Sequence, residues 1–315
     1  MKSVFLFFIS FTLLISCSSS MKPGVTQEGF LEGANGASIH FKIVGSSPDT
    51  LVVLHGGPGA GINSVLPDVR PLAEEFTLIF YDQRGGGLSQ LPEDTTKLRP
   101  EYFVEDLEAV RRHFGLEQMN LFTHSFGSVI AASYALKYSE RIRRAVYHGA
   151  TGPDLMQELE LRRLDLTPPP DSLLAARSSE LLGSLLNGTA ENPVETCREY
   201  EALNRRIAEE RGEEVTYRGT TCDAPPEAVR YYYRYTAQLA PRYYGRWDFT
   251  DGRLQRVMAP HLIIWGEKDA HMIPAQQAWA DAFPNGELLL IPEARKGAIS
   301  DRPILVKEAV ANFLK

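Results

Sequence analysis

The chain has 315 residues, 43% of them hydrophobic, and its 33 Lys and Arg against 40 Asp and Glu give a net charge of −7. That length predicts one large globular domain with an insertion, or two modest ones. Charges of both signs are spread along the chain without a basic run, which speaks against a nucleic-acid partner and against purely electrostatic attachment to an anionic membrane.

Residues 1–16 read as a secretory signal, since Lys2 supplies a positive start and 4–15 is an apolar run rich in Phe, Leu and Ile. Such a run is too short to span a bilayer as a mature helix. It ends in Leu14-Ile15-Ser16-Cys17, which resembles a bacterial lipobox with Cys17 as the lipidated first residue of the mature chain. Residues 17–28, opening with Ser18-Ser19-Ser20, then read as a lipidated tether. The plainer alternative is an ordinary signal peptide with an incidental Cys. Acyl chains on Cys17 would anchor the protein to a bacterial membrane, facing the periplasm or the cell surface.

The other two cysteines are Cys197 and Cys222. An oxidising compartment allows them to bridge, closing a loop of about 25 residues worth roughly 3 kcal/mol on the chain-entropy model. Two buried free thiols are the alternative. No Cys and His cluster has metal-ligand spacing.

From residue 29 onward, short apolar runs alternate with helical patterns, which predicts an α/β fold with a mostly parallel sheet. The strands are expected at 38–44, 51–55, 77–81, 120–123, 145–148, 261–265 and 287–291. Their Val, Ile, Leu and Phe content suits strands buried on both faces. Helices are expected at 101–114, where Phe103, Leu107, Val110 and Phe114 share a face, at 128–138 and at 303–314. The alternation stops near Thr151 and resumes near Val257. The segment 151–256 has helical periodicity and Pro breakers and holds the Cys pair; it reads as a cap dividing a core of 29–150 and 257–315.

Three motifs carry the chemistry. His55-Gly56-Gly57-Pro58-Gly59 directly follows a buried strand, and so tight a turn can aim backbone N–H groups at one point, as an oxyanion site needs. Asp82-Gln83-Arg84-Gly85-Gly86-Gly87-Leu88-Ser89 follows the next strand, with an Asp and an Arg able to lock a loop by charge-assisted hydrogen bonds. Thr123-His124-Ser125-Phe126-Gly127 lies between a predicted strand and a predicted helix, the setting of a nucleophile elbow. The elbow's first position needs a small residue more than a glycine, so Thr123 is a mild departure. The glycine turns lack Walker or dinucleotide spacing, and the chain has no cofactor motif.

On these motifs the chain resembles α/β-hydrolases of the proline iminopeptidase type over roughly residues 28–315, the pair HGGPG and DQRGGGLS being the specific part. The resemblance implies an α/β-hydrolase fold with a helical cap, Ser125 as nucleophile and Asp269, in Trp265-Gly266-Glu267-Lys268-Asp269, as the acid of a triad. It further implies an oxyanion hole from the N–H groups of Gly57 and Phe126, binding by His55, Gly56 and Pro58, and a cis bond before Pro58. A small molecule or short peptide would be the substrate.

Two departures stand out. Where the family has Pro-x-Ala-Gly-His, this chain reads Pro292-Glu293-Ala294-Arg295-Lys296, so that Lys296 occupies the histidine's place. Where relatives hold a substrate amine with cap carboxylates, the stretch Arg230-Tyr231-Tyr232-Tyr233-Arg234-Tyr235 is aromatic and basic, which suits an anionic or aromatic ligand. A serine needs a general base to become nucleophilic at neutral pH. Lys296 qualifies only as the neutral amine, and a pair with Asp269 would keep it charged. His271, two residues beyond Asp269, is a second candidate base; His124 commonly neighbours such serines without a role, and His55 more naturally braces its turn. His40, His113, His148 and His261 fit ordinary surface or strand positions. Three readings remain open: an impaired serine hydrolase, a lipid-anchored pseudoenzyme that binds a small ligand or peptide, and an altered version of an active hydrolase with histidine at 296.

Overall fold

Among the described residues eight strands form one sheet, in the order β1-β2-β4-β3-β5-β6-β7-β8. They are β1 (Gln27–Glu32), β2 (Ser38–Val44), β3 (Thr50–Leu54), β4 (Thr77–Tyr81), β5 (Met119–His124), β6 (Ile142–His148), β7 (His261–Gly266) and β8 (Gly286–Ile291). β2 runs antiparallel to both β1 and β4, and every other pairing is parallel. This computed structural model describes residues 26–163, 173–235 and 245–315. Cys17, the signal segment and most of the tether lie outside those residues.

The central strands are apolar on both faces because both faces are covered. Val52, Leu54, Ile79, Tyr81, Leu121, Ala145, Tyr147 and Ile263 join one core cluster. Their neighbours Leu51, Val53, Leu78, Phe80, Phe122, Val146, Leu262 and Ile264 join the other. The first cluster is closed by helices Pro100–His113, Gly127–Tyr138 and Ile273–Ala282, the second by Pro303–Leu314 and short turns after β3. The helix Pro100–His113 starts with Pro at its first position, where an N–H would lack a partner, and its Glu101 in the first turn and Arg111, Arg112 and His113 in the last suit the helix dipole.

One boundary is corrected. The tether was expected to reach residue 28, but β1 begins at Gln27 and pairs with β2 from Gln27↔Ile43 to Glu32↔Ser38. This is an edge strand in which only Leu31 is buried, so it lacks the apolar run that marks the others. The helix Ile273–Ala282 was also not among the expected elements; its buried Ala275, Gln276, Trp279, Ala280 and Ala282 give only a weak amphipathic pattern.

Between β6 and β7 the described residues form the helices Leu155–Arg163, Leu173–Asn187, Pro193–Glu210 and Pro226–Arg234. A disulfide joins Cys197 to Cys222. Around it Leu185, Ala190, Val229 and Tyr233 form a small separate core. Backbone N–H groups of Arg218 and Gly219 tie this layer to the buried Asp68, and Tyr235 Oη donates to Leu98 O at 3.1 Å. Asn63 makes two further ties, donating from Nδ2 to Asp223 O at 2.8 Å and accepting Thr220 N at 3.1 Å.

Candidate active site

Ser125 directly follows the C-terminal end of β5, and the helix Gly127–Tyr138 begins two residues later. Ser125 has φ 52°, the left-handed region that a non-glycine residue rarely adopts. The turn is held by Ser125 N donating to His148 O at 3.2 Å and by Ser128 Oγ and Thr151 N donating to Ser125 O at 2.7 and 3.3 Å. A Cβ at Gly127 would stand 2.8 Å from Leu54 O, so only glycine lets the helix start this close to β3. The helix directs its positive end toward Ser125. Thr123 is fully buried, with Oγ1 donating to Val146 O at 3.3 Å.

Asp269 follows β7, and Lys296 follows β8. The two loops are packed backbone to backbone: a Cβ at Gly266 would meet Ala294 O at 2.2 Å, and Lys268 N donates to Ala294 O at 2.8 Å. Asp269 Oδ2 accepts the backbone N–H of Lys296, and Lys296 Nζ reaches Ser125 Oγ at 3.4 Å. The structure thus brings Ser125, Asp269 and Lys296 together, with the carboxylate bonded to the lysine's own main chain. Thr151 Oγ1 stands 3.5 Å from Ser125 Oγ, a neighbour that no local sequence pattern marks. His271 lies in the 3-10 turn Ala270–Met272 just after Asp269.

Behind Lys296 sit two histidines stacked at 5.3 Å. His148 Nε2 accepts the Ile299 N–H at 3.0 Å, so its proton lies on Nδ1, which faces His124 Nδ1 at 3.2 Å. His124 therefore accepts at Nδ1 and carries its own proton on Nε2. Burial, and after it the Lys296 cation, pushes His148 down to about 3. Burial, His148 and Lys296 together put His124 well below the ordinary imidazole value. Both rings are neutral at neutral pH and add no positive charge beside Lys296. No local pattern marks this pair; it forms because β5 and β6 place His124 opposite His148.

The HGGPG turn lies against the elbow, a Cβ at Gly56 falling 3.0 Å from Ser125 Cβ. The Gly57–Pro58 bond is cis. His55 donates from Nδ1 to Gly56 O at 2.8 Å and accepts Gln83 N–H on Nε2 at 3.0 Å, while Gln83 Nε2 donates to His55 O at 2.7 Å. His55 is thus a brace, and burial holds it below its ordinary value despite Asp82 nearby. Asp82 and Arg84 do lock loops, each with its own partners. Asp82 accepts from Ile62 N at 2.6 Å, Leu88 N at 3.0 Å and His40 Nδ1 at 2.7 Å. Arg84 forms a buried bidentate pair with Asp106, both bonds 2.6 Å.

At the two departures, the side chains are drawn into structure. Arg295, in the place of the family glycine, bonds Asp301 through N at 2.7 Å and Nη2 at 3.0 Å and donates to Glu214 O in the cap. Although burial works the other way, Arg295 and Thr216 hold the Asp301 carboxyl below its usual range. The aromatic stretch 230–235 was expected to offer a ligand surface. Instead Tyr231 packs over Gly59 and Gly85 and stacks on Tyr235 at 5.0 Å, and Tyr233 and Tyr235 are buried. Tyr231 seats the helix Pro226–Arg234 on the glycine turns, while Tyr232 and Tyr233 pack toward the disulfide core.

Comparison with known proteins gives the same architecture. The alpha/beta hydrolase fold family matches residues 49–303. A proline iminopeptidase of Heyndrickxia coagulans is 35% identical over 121 residues, 38% of this chain and 42% of that protein. One from Saccharolobus solfataricus is 32% identical over 155 residues, 48% of this chain and 50% of that protein. These alignments span half or less of the relatives' length. One from Thermoplasma volcanium is 28% identical over 258 residues, 77% of this chain and 81% of that protein. Among solved structures, VinJ superposes with a TM-score of 0.67 at 19% identity over 92% of this chain and 98% of that one. A proline iminopeptidase from Mycobacterium smegmatis gives 0.61 at 20% identity over 91% and 97%. At such identities the superpositions speak to fold alone. With the family match covering most of its length, the chain belongs to the α/β hydrolase fold family.

Proposed function

We propose that the protein is a serine hydrolase similar to proline iminopeptidases, acting on N-terminal peptide bonds or small ester and amide bonds, with Lys296 in the place of the triad histidine. The observation that carries this reading is the 3.4 Å approach of Lys296 Nζ to Ser125 Oγ at a strained elbow. In the step so arranged, the neutral Lys296 amine takes the Oγ proton as Oγ bonds to the acyl carbon. The carbonyl oxygen becomes an oxyanion facing the Gly57 and Phe126 N–H groups, and the ammonium returns the proton to the departing amine or alcohol. Water then cleaves the acyl-enzyme by the same route.

An ordinary lysine titrates near 10.4, so at pH 7 roughly one amine in 10³ is neutral. The nearby Asp269 carboxylate favours the ammonium further. Turnover is therefore impaired relative to a histidine triad. The same carboxylate supports the second reading, an inactive protein that binds a small ligand or peptide at this site. Exposure to a fluorophosphonate, followed by intact mass, decides between them. A covalent adduct within minutes that Ser125→Ala lacks is the expected result. A folded protein left unlabelled after hours would sink the hydrolase reading and leave the binding one.

We also propose that acyl chains on Cys17 hold the protein at a bacterial membrane, on the strength of the apolar run and the Leu-Ile-Ser-Cys sequence that ends it. Cys17→Ser is expected to move the protein from the membrane fraction to the soluble one; unchanged fractionation would refute the anchor.

A further inference from the structure

A second pocket lies between the sheet edge and the cap, with a volume of about 380 Å³. Core residues Glu28, His40 and Lys42 and cap residues Arg198 and Asp223 are among those lining it. Lys42 is 5% exposed. A buried ammonium is costly unless it is paired and hydrogen-bonded. Lys42 Nζ pairs with Glu28 Oε1 at 3.6 Å, beyond hydrogen-bond length, and that same oxygen already binds His40 Nε2 at 2.8 Å. Among the described residues Lys42 Nζ has no hydrogen-bond acceptor, and Lys42 lines the pocket.

Of the three carboxylates on this pocket, Asp82 and Asp223 are already engaged, and Glu28 binds His40 through Oε1. Asp82 accepts from His40 and from two backbone N–H groups. Asp223 is held by Arg198 at 3.2 Å on the opposite wall, and its carbonyl by Asn63. Lys42 from the core and Arg198 from the cap both line this space, Arg198 sharing its charge with Asp223. The group short of partners is thus a buried cation with three donors, and the ligand that completes it is an acceptor-only anion.

We infer that this pocket is a binding site for an oxyanion group, carboxylate or phosphate, gripped by Lys42 from the core and Arg198 from the cap. It is separate from Ser125 and stands independently of whether Ser125 turns over substrate.

Isothermal titration of the purified full chain with succinate in one arm and inorganic phosphate in the other, at matched ionic strength in chloride, tests it. The expected result is saturable binding of at least one probe with Kd below about 1 mM, weakened about tenfold or more in Lys42→Met. Arg198→Ala, an exposed position, is expected to weaken it less and serves as the second variant where Lys42→Met fails to fold. Ser125→Ala should bind as the parent does. Binding of succinate alone identifies a carboxylate ligand, and of phosphate alone a phosphate. No saturable heat from either probe, binding unchanged in Lys42→Met, or, where that variant fails to fold, binding unchanged in Arg198→Ala would overturn the site.

Discussion

Lys296→His is expected to raise Ser125-dependent hydrolysis of a proline arylamide or small ester by about 10²–10⁴-fold near pH 7.5, the usual contribution of a well-placed general base. The reason lies in proton affinity. Lys296 already stands 3.4 Å from Ser125 Oγ, so the missing property is a neutral acceptor at working pH. An imidazole titrates near 6.5 and a lysine amine near 10.4 in ordinary surroundings, so the two proteins should differ in pH profile as well as rate. The parent's rate should climb steadily from pH 7 toward 10 as the amine loses its proton. The variant should reach a plateau above its imidazole inflection. His124 and His148 do not confuse the assignment, because burial keeps both neutral over this range. Steady-state rates across pH, with Ser125→Ala as blank, make the measurement. Should Lys296→His gain nothing, the double variant with Arg295→Gly separates two causes. Recovery there would blame the Arg295 contacts with Asp301 and Glu214. Failure in both would mean that the site has been rebuilt for binding.

Arg84→Met is expected to cost about 3–5 kcal/mol of folding stability, because it strands a buried carboxylate. Arg84 and Asp106 are 2% and 1% exposed and share two bonds of 2.6 Å. The guanidinium also donates to Lys97 O and Ala34 O at 3.2 Å and sits 5.0 Å from the Tyr102 ring centre. Without it Asp106 keeps, among the described residues, only the Ala34 N–H at 2.8 Å. Urea unfolding curves with a common slope would read the loss directly. Adding Asp106→Leu should recover much of it, since removing both charges is far cheaper than removing one. A loss under about 1 kcal/mol for Arg84→Met would mean that water reaches Asp106 and that the pair is not sealed.

The strands at the centre of the sheet were legible because burial on both faces writes a continuous apolar run, as in Leu51-Val52-Val53-Leu54. β1 was not, because an edge strand buries one residue and spends the rest on solvent. The elbow was legible because a strand, a sharp turn and a helix must follow one another locally, and Gly127 marks the close approach. Asp269 and Lys296 were legible by their place after the last two strands, but their partners were not. The loop packing at Gly266 and Ala294 turns the Lys296 backbone N–H to the Asp269 carboxylate and its Nζ to Ser125. The aromatic stretch 230–235 likewise read as ligand surface, and became the seat of the cap once Gly59 and Gly85 were beneath it.

By itself, then, the amino-acid sequence determined the α/β layering and the order of Ser125, Asp269 and Lys296 along the chain, since each is set by local pattern or position; that Lys296 stands where a histidine is expected rests on the resemblance to relatives. The His124–His148 pair, Thr151 beside Ser125, and the core and cap cations Lys42 and Arg198 lining one pocket were decided by tertiary structure alone. Their partners are far apart in the chain and meet where parallel strands end side by side or where the cap closes on the sheet edge, and short-range periodicity carries no record of such meetings.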